Sequence, residues 1–330
     1  MLTRFLFEGL PVRGAHVRLV GPWRELLSRR QGQQALPPEV MGLLGEMTAA
    51  ALLMKSHLKF DGALILQMHG DGPVKLAVAE VAAEGSFRAT ATLSDAVPAG
   101  ADLPSMLNVG GKGRCAITLD PSNRRPGQPP YQGVVPLHGD RREDKLGRVQ
   151  DVIEHYMLQS EQLDTRLVLA ADGETAAGLL VQRMPLAGAG NLESRAAGGS
   201  AEVADDGPRN EDGIGRSEDF NRIAMLAGTL TPAELLALPA QELLRRLFWE
   251  ETVRVFEPEQ PHFACRCSRD RVAGMLRSLG RDESDSLIAE RGVVEVGCEF
   301  CGRQYRFDAV DVGELFAPRH DAAPGSSELQ

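Results

Sequence analysis

The apolar positions change period along the first 60 residues. Phe5, Leu6 and Phe7, then Val12, Val17, Leu19 and Val20, alternate with polar residues, so residues 1–35 read as one or two strands, with Gly14 as a turn or bulge. After Pro37-Pro38, the residues Val40, Leu43, Leu44, Met47, Ala51, Met54 and Leu58 recur at helical spacing and predict one long helix closed by Asp61-Gly62. Its stripe is rich in Ala, Gly and Met, which favours close core packing over a Met-lined binding groove. Residues 63–68 and 74–81 predict a hairpin turning through Gly70-Asp71-Gly72-Pro73. Residues 114–119 and 131–135 predict further strands, and 145–159 an amphipathic helix with Leu146, Val149, Val152, Ile153 and Tyr156 on one face. Residues 166–170 and 177–184 predict a last antiparallel pair. This order gives an α+β domain with a mostly antiparallel sheet over residues 1–185.

The pattern then breaks. From Leu186 to Phe220 there are seven glycines, eight acidic and three basic residues, and few large apolar ones. Such a stretch buries too little surface to offset its ordering entropy, so 186–220 is expected to be a flexible acidic linker. Helical signals return over 221–250: Ile223, Met225 and Leu226, then Thr231-Pro232-Ala233-Glu234 as a capped helix start, then Pro239 ahead of Leu243, Leu244, Leu247, Phe248 and Trp249. These short helices, within a linker region 186–258, are apolar on one face and must cover something or be covered. Residues 259–317 form a small module with helices expected at 270–279 and 282–290 and strands at 293–296 and 305–307. A disordered tail is expected over 318–330.

Length and composition narrow the function. A chain of 330 residues can hold about two domains. The net charge of −10 argues against a general affinity for nucleic acid or anionic lipid. No stretch suits a bilayer span, and the N-terminus lacks the pattern of a signal peptide. The five cysteines, four of them in close pairs, fit a reducing compartment, so the protein is expected in the cytoplasm. Gly110-Gly111-Lys112-Gly113 lacks the following Ser or Thr and the upstream glycine of a phosphate-binding loop. Cys115 reads as an inert core residue of a strand. The seven histidines are scattered, and none pairs with a nucleophile motif.

The chemistry concentrates near the C-terminus. Cys265-Arg266-Cys267 and Cys298-Glu299-Phe300-Cys301 place two close thiol pairs thirty residues apart, which is what a tetrahedral zinc site needs. His262 lies near enough in sequence to be a fifth candidate, but four cysteines already fill a tetrahedron. The module has few large apolar groups, so bound metal is expected to supply the missing stability. Zinc-bound thiolates are also what peroxide or hypochlorous acid attacks. Any pairing of the four sulfurs is open, with pairing inside each motif needing least rearrangement. Oxidation would cost the metal, then the module's fold, and then the anchor of the apolar helices upstream.

The chain resembles the Hsp33 family, the redox-regulated holdase chaperones of bacteria. Besides the two cysteine motifs, the resemblance rests on Lys59-Phe60-Asp61-Gly62, Gly70-Asp71-Gly72-Pro73, Tyr131-Gln132-Gly133-Val134-Val135, Ser160-Glu161-Gln162-Leu163-Asp164-Thr165 and Gln182-Arg183-Met184-Pro185. It spans roughly 1–185 and 220–317. It implies one zinc held by Cys265, Cys267, Cys298 and Cys301 in a reduced, inactive state. It implies Cys265–Cys267 and Cys298–Cys301 disulfides on oxidation, zinc release and unfolding of the linker region. It further implies a homodimer when oxidised, binding of unfolding client proteins under oxidative and heat stress, and transfer of clients to ATP-dependent foldase chaperones. The family is not enzymatic. The acidic run 186–219 looks longer than the family's usual connection.

Two other classes compete. A thiol-disulfide oxidoreductase would use Cys298 and Cys301, but that C-x-x-C lies in a metal-like quartet and does not open a helix after a βαβ-type strand. A zinc-ribbon nucleic-acid binder would need positive charge. Between Glu259 and Ala317 there are eight Arg and no Lys against eleven acidic residues, the wrong sign for phosphate contacts.

Overall fold

The computed structural model describes residues 1–30, 36–123, 129–141, 144–184 and 217–317. Most of the expected flexible linker, 186–216, and the tail 318–330 lie outside the described residues. The chain divides into two compact units, Met1–Ala264 and a second that starts at Cys265.

The first unit opens with β1 (Leu2–Phe7), β2 (Val12–Leu19), α1 (Gly21–Arg29), α2 (Pro38–Ser56), β3 (Gly62–His69), β4 (Val74–Val81) and β5 (Ser86–Leu93). It continues through α3 (Leu103–Leu107), β6 (Arg114–Pro121), β7 (Tyr131–Pro136), α4 (Val149–Glu161), β8 (Thr165–Ala171) and β9 (Ala176–Arg183). Beyond residue 216 come α5 (Glu218–Gly228), α6 (Pro232–Ala237), α7 (Ala240–Leu247), β10 (Val253–Val255) and β11 (His262–Phe263). One sheet has the order β10-β1-β2-β9-β8 and the other β11-β5-β4-β3-β6-β7. Every strand pair in them is antiparallel except β11 with β5. The α+β class with antiparallel sheets is therefore the observed one.

Helix α2 packs against strands of both sheets, β2, β8 and β9 of one and β3, β4 and β5 of the other. That position explains its composition. Val40, Leu43, Leu44, Met47, Leu53 and Met54 are all buried, so its methionines are core residues. Close approach also demands small residues: a Cβ on Gly45 would lie 2.3 Å from the Ala171 Cβ. Three elements before β6 go beyond the periodic reading: α1, α3 and β5. Helix α1 replaces the later part of the strand region expected over 1–35; it buries only Trp23 and Leu26, too short a stripe to show a period. Strand β5 follows a tight turn at Gly85, φ 75°, in a stretch without clean alternation.

The far face of the β1-containing sheet is covered by α5, α6 and α7. Phe5, Phe7, Val12, Val168, Ala177, Leu179 and Val181 from the sheet meet Phe220, Ile223, Ala227, Leu235, Leu243, Leu244 and Phe248 from the helices. The expected capping box at α6 is present, Thr231 with Glu234. So the apolar face read over 221–250 does cover something, and the covered partner is this sheet.

His16 lies on the same face of β2. It is 1% exposed, and neither ring nitrogen has a hydrogen-bond partner among the described residues. Burial, reinforced by the N-terminal amine and the Arg18 guanidinium, lowers its pKa to about 4. The unfolded state then binds more protons than the folded state as pH falls from 6.5 to 4. Stability is full above that window and falls by up to about 3 kcal/mol through it. Glu46 and Glu154, raised to about 7 by burial, act in the opposite sense. The histidine effect is therefore read as a difference. Melting temperatures followed from pH 7 to 4.5 should decline less steeply for His16→Leu than for the parent chain; identical slopes would refute the assignment.

Candidate metal centre

The second unit comprises α8 (Arg269–Leu279), α9 (Arg281–Arg291), β12 (Val294–Gly297), β13 (Gln304–Phe307) and α10 (Ala309–Leu315). Strands β12 and β13 form a hairpin from Val294↔Phe307 to Gly297↔Gln304. Its core is small: Ala273, Leu276, Val294, Tyr305, Phe307 and Val312. Arg269 binds the pieces together. It donates to the Arg306 carbonyl at 2.7 Å, pairs with Asp311 at 2.7 Å and stacks 4.1 Å over the Phe307 ring.

Each cysteine pair sits beside a regular element of the unit. Cys265 and Cys267 immediately precede α8, whose Ser268 cap accepts from the Arg271 amide. Cys298 and Cys301 occupy the turn of the β12–β13 hairpin. There the Cys298 amide donates to the Arg303 carbonyl at 2.9 Å and the Gly302 amide to the Cys298 carbonyl at 2.8 Å. The turn needs a left-handed residue, and Gly302 provides it at φ 71°. A redox C-x-x-C at a helix N-terminus would look different, since no helix starts at Cys298.

The four sulfurs lie within 4.8 Å of one another. Cys265 and Cys298 approach to 3.6 Å, and Cys267 and Cys301 to 3.4 Å. A tetrahedron with metal–sulfur bonds of about 2.3 Å has edges of about 3.8 Å, so this set fits one metal ion. Its electrostatics point the same way. Burial raises the thiols of Cys265 and Cys301. Cys267 is partly buried too, yet the Tyr305 hydroxyl and the other three sulfurs bring it down to about 7. One thiolate is welcome in the cluster, and further ones repel it. A divalent cation at the centre removes that repulsion. His262 belongs to β11 and is not among the clustered ligands.

The other motifs of the resemblance are scaffold. Gln182 accepts both Arg13 Nε and Nη2 and donates to Thr165 at 2.9 Å, while Arg183 pairs with Asp164 at 2.5 Å. Buried Glu161 accepts from the hydroxyls of Tyr156 and Tyr131, at 2.9 and 3.2 Å. A Cβ on Gly133 would strike the Tyr156 hydroxyl at 2.5 Å. The two Gly-rich loops hold each other, because the Asp71 carboxylate accepts the Lys112 amide at 3.0 Å. A carboxylate in that position repels a phosphate. Cys115 is fully buried in the main core, and burial pushes its thiol up to about 12, as an inert residue requires. Among the described residues no helix is long and apolar enough to cross a membrane.

The fold and the site define an α+β body carrying a small module built round four clustered thiols. Comparison with known proteins finds relatives over nearly the whole chain. The family model of the Hsp33 protein matches residues 1–308. A 33 kDa chaperonin of Chromobacterium violaceum is 44% identical over 315 residues, 96% of this chain and 93% of that protein. One of Neisseria meningitidis serogroup B is 40% identical over 316 residues, 95% of this chain and 90% of that protein. The crystal structure of an Hsp33 homologue of Thermotoga maritima has the same fold, with a TM-score of 0.69 at 20% identity over 95% of this chain and 97% of that one. The chain belongs to the Hsp33 family of chaperones.

Proposed function

We propose that this chaperone is a redox-regulated holdase of the bacterial cytoplasm, silent when its four cysteines are reduced. The observation that carries the reading is the cluster of four sulfurs within 4.8 Å in a module with only six buried apolar residues at its core. Zinc, when bound by Cys265, Cys267, Cys298 and Cys301, keeps all four sulfurs as thiolates and ties α8 to the β12–β13 turn. Peroxide takes an electron pair from one thiolate, giving a sulfenic acid and hydroxide. A second thiol displaces water from the sulfenic acid and closes a disulfide. Two such events consume two peroxides and all four ligands, after which nothing on the module holds the ion. The pairs Cys265–Cys267 and Cys298–Cys301 follow from the family resemblance. The shortest sulfur contacts in the reduced arrangement run between the motifs, Cys265 with Cys298 and Cys267 with Cys301, so within-motif pairing needs the sulfurs to change partners.

The consequence lies upstream. The domain roles follow as 1–185 for client binding and dimerisation, 186–258 as the yielding linker region and 259–317 as the switch. Release of α5–α7 would bare Phe5, Phe7, Val12, Leu179 and Val181, an apolar face suited to unfolding clients. A homodimer of the oxidised chain and transfer of clients to ATP-dependent foldases complete the reading, with heat and oxidative stress as its occasion.

One sample tests it. The reduced chain should carry about one zinc and suppress aggregation of a heat-denatured enzyme poorly. Peroxide at mildly raised temperature should release the zinc and switch suppression on. Equal suppression in both states would overturn the switch.

A further inference from the structure

Between α7 and the first cysteine, residues 252–264 run along the edges of both sheets. The segment pairs with β1 over nearly its whole length. Val253, Arg254 and Val255 stand opposite Phe7, Leu6 and Phe5, and Glu259 bridges to Leu2. The Glu8 amide donates to the Thr252 carbonyl at 2.9 Å, the Phe256 amide to the Arg4 carbonyl at 2.9 Å, and Leu2 and Glu259 exchange two bonds of 2.8 Å. The chain then pairs parallel to β5, with the Ala264 amide donating to the Phe87 carbonyl at 3.1 Å.

This strap is held almost without side chains. Every residue from Arg254 to Gln260 is exposed, including Val255 at 51% and Phe256 at 38%. The ion pair of Arg4 with Glu259 is half exposed and contributes little. What retains it is the main-chain ladder, which any extended peptide can form. The strap also carries the devices that protect an edge: Pro258 and Pro261, and the charges of Arg254, Glu257 and Glu259. The strand beneath carries one charge, Arg4, and no proline. Leu2, Phe5, Leu6 and Phe7 make β1 an apolar, strand-prone edge.

We infer that the β1 edge, residues 2–8, is a docking site for extended segments of unfolded client chains, and that residues 252–259 occupy it in this state as an internal stand-in. The inference rests on the holdase reading and names how that surface recognises its partner. The register gives the client chemistry. Val253 and Val255 lie opposite Phe7 and Phe5, so alternate side chains of an added strand fall on the apolar face that α5–α7 cover. The fitting client is therefore an antiparallel strand with apolar residues at every second position. Main-chain recognition explains how one edge can serve clients of unrelated sequence.

The test adds a synthetic peptide of residues 252–263 to the oxidised full-length chain during client capture, beside the same peptide N-methylated at Phe256 and Glu259. Those two methyl groups remove the amides that bond to Arg4 and Leu2 while leaving every side chain in place. The unmodified peptide should inhibit capture at a concentration at least about tenfold lower than the methylated one, as two lost hydrogen bonds require. Equal inhibition by both peptides, or by neither, overturns the edge. So does a peptide that dissociates an oxidised dimer while capture stays intact, since the occupant would then be a second copy of this chain. If the oxidised chain fails to capture clients with no peptide present, the holdase reading itself has failed, and that outcome is visible before any peptide is added.

Discussion

Cys298→Ser is expected to leave the second unit unfolded under reducing conditions. Zinc content should fall from about one per chain to near zero, and amides of residues 265–317 should exchange at close to the rate of an unstructured chain. Apparent binding energies of structural zinc are on the order of 10–16 kcal/mol. Serine cannot supply the thiolate at the hairpin turn. The core left behind is Ala273, Leu276, Val294, Tyr305, Phe307 and Val312, together with the Arg269 ties, which is little to hold a unit of this length. Native-like exchange protection in the zinc-free variant would show that this core stands alone, and that loss of metal cannot be the trigger. The experiment separates structural dependence on metal from oxidation, since no oxidant is present.

Phe248→Ala is expected to activate the chaperone without oxidation. The Phe248 ring is the aromatic anchor of the helical cover. It meets the Phe7 ring edge-on at 4.9 Å and the Phe5 ring at 6.3 Å, and it is 2% exposed. Truncating such a side chain costs about 3–5 kcal/mol. The cost falls on the contact between α5–α7 and the sheet, because the main core on the other face shares no residue with it. The reduced variant should therefore suppress client aggregation measurably while keeping its zinc. Faster exchange in α5–α7 with no gain in suppression would detach the covered face from client binding.

The parts of the molecule that could be read from the sequence share a physical property: their signal is local. The long helix is set by Val40, Leu43, Leu44, Met47 and Met54 at helical spacing, the α6 start by Thr231 and Glu234, and the metal centre by thiols one and two residues apart. Elements without a local signal escaped. Helix α1 buries two side chains. Helix α10 begins with a capping box, Asp308 with Asp311, which could have revealed it. Strands β10 and β11 are only three and two residues long, too short to show a period, and the edges they cover hold them by backbone bonds. The scaffold motifs were legible as resemblance only. That Gln182 is gripped by Arg13, and that Glu161 receives two tyrosine hydroxyls, depends on residues far apart in the chain.

By itself the sequence determined the α+β class, the apolar character of the helices upstream of the module, and the four residues able to hold a metal. Those follow from periodicity and ligand spacing, which are properties of neighbouring residues. Only the tertiary structure decided that the four sulfurs converge within 4.8 Å, that α5–α7 lie on the face bearing Phe5 and Phe7, and that residues 252–259 close the β1 edge. An amphipathic helix declares that it needs an apolar partner, but not which one. A strand edge declares nothing until the chain that covers it is seen.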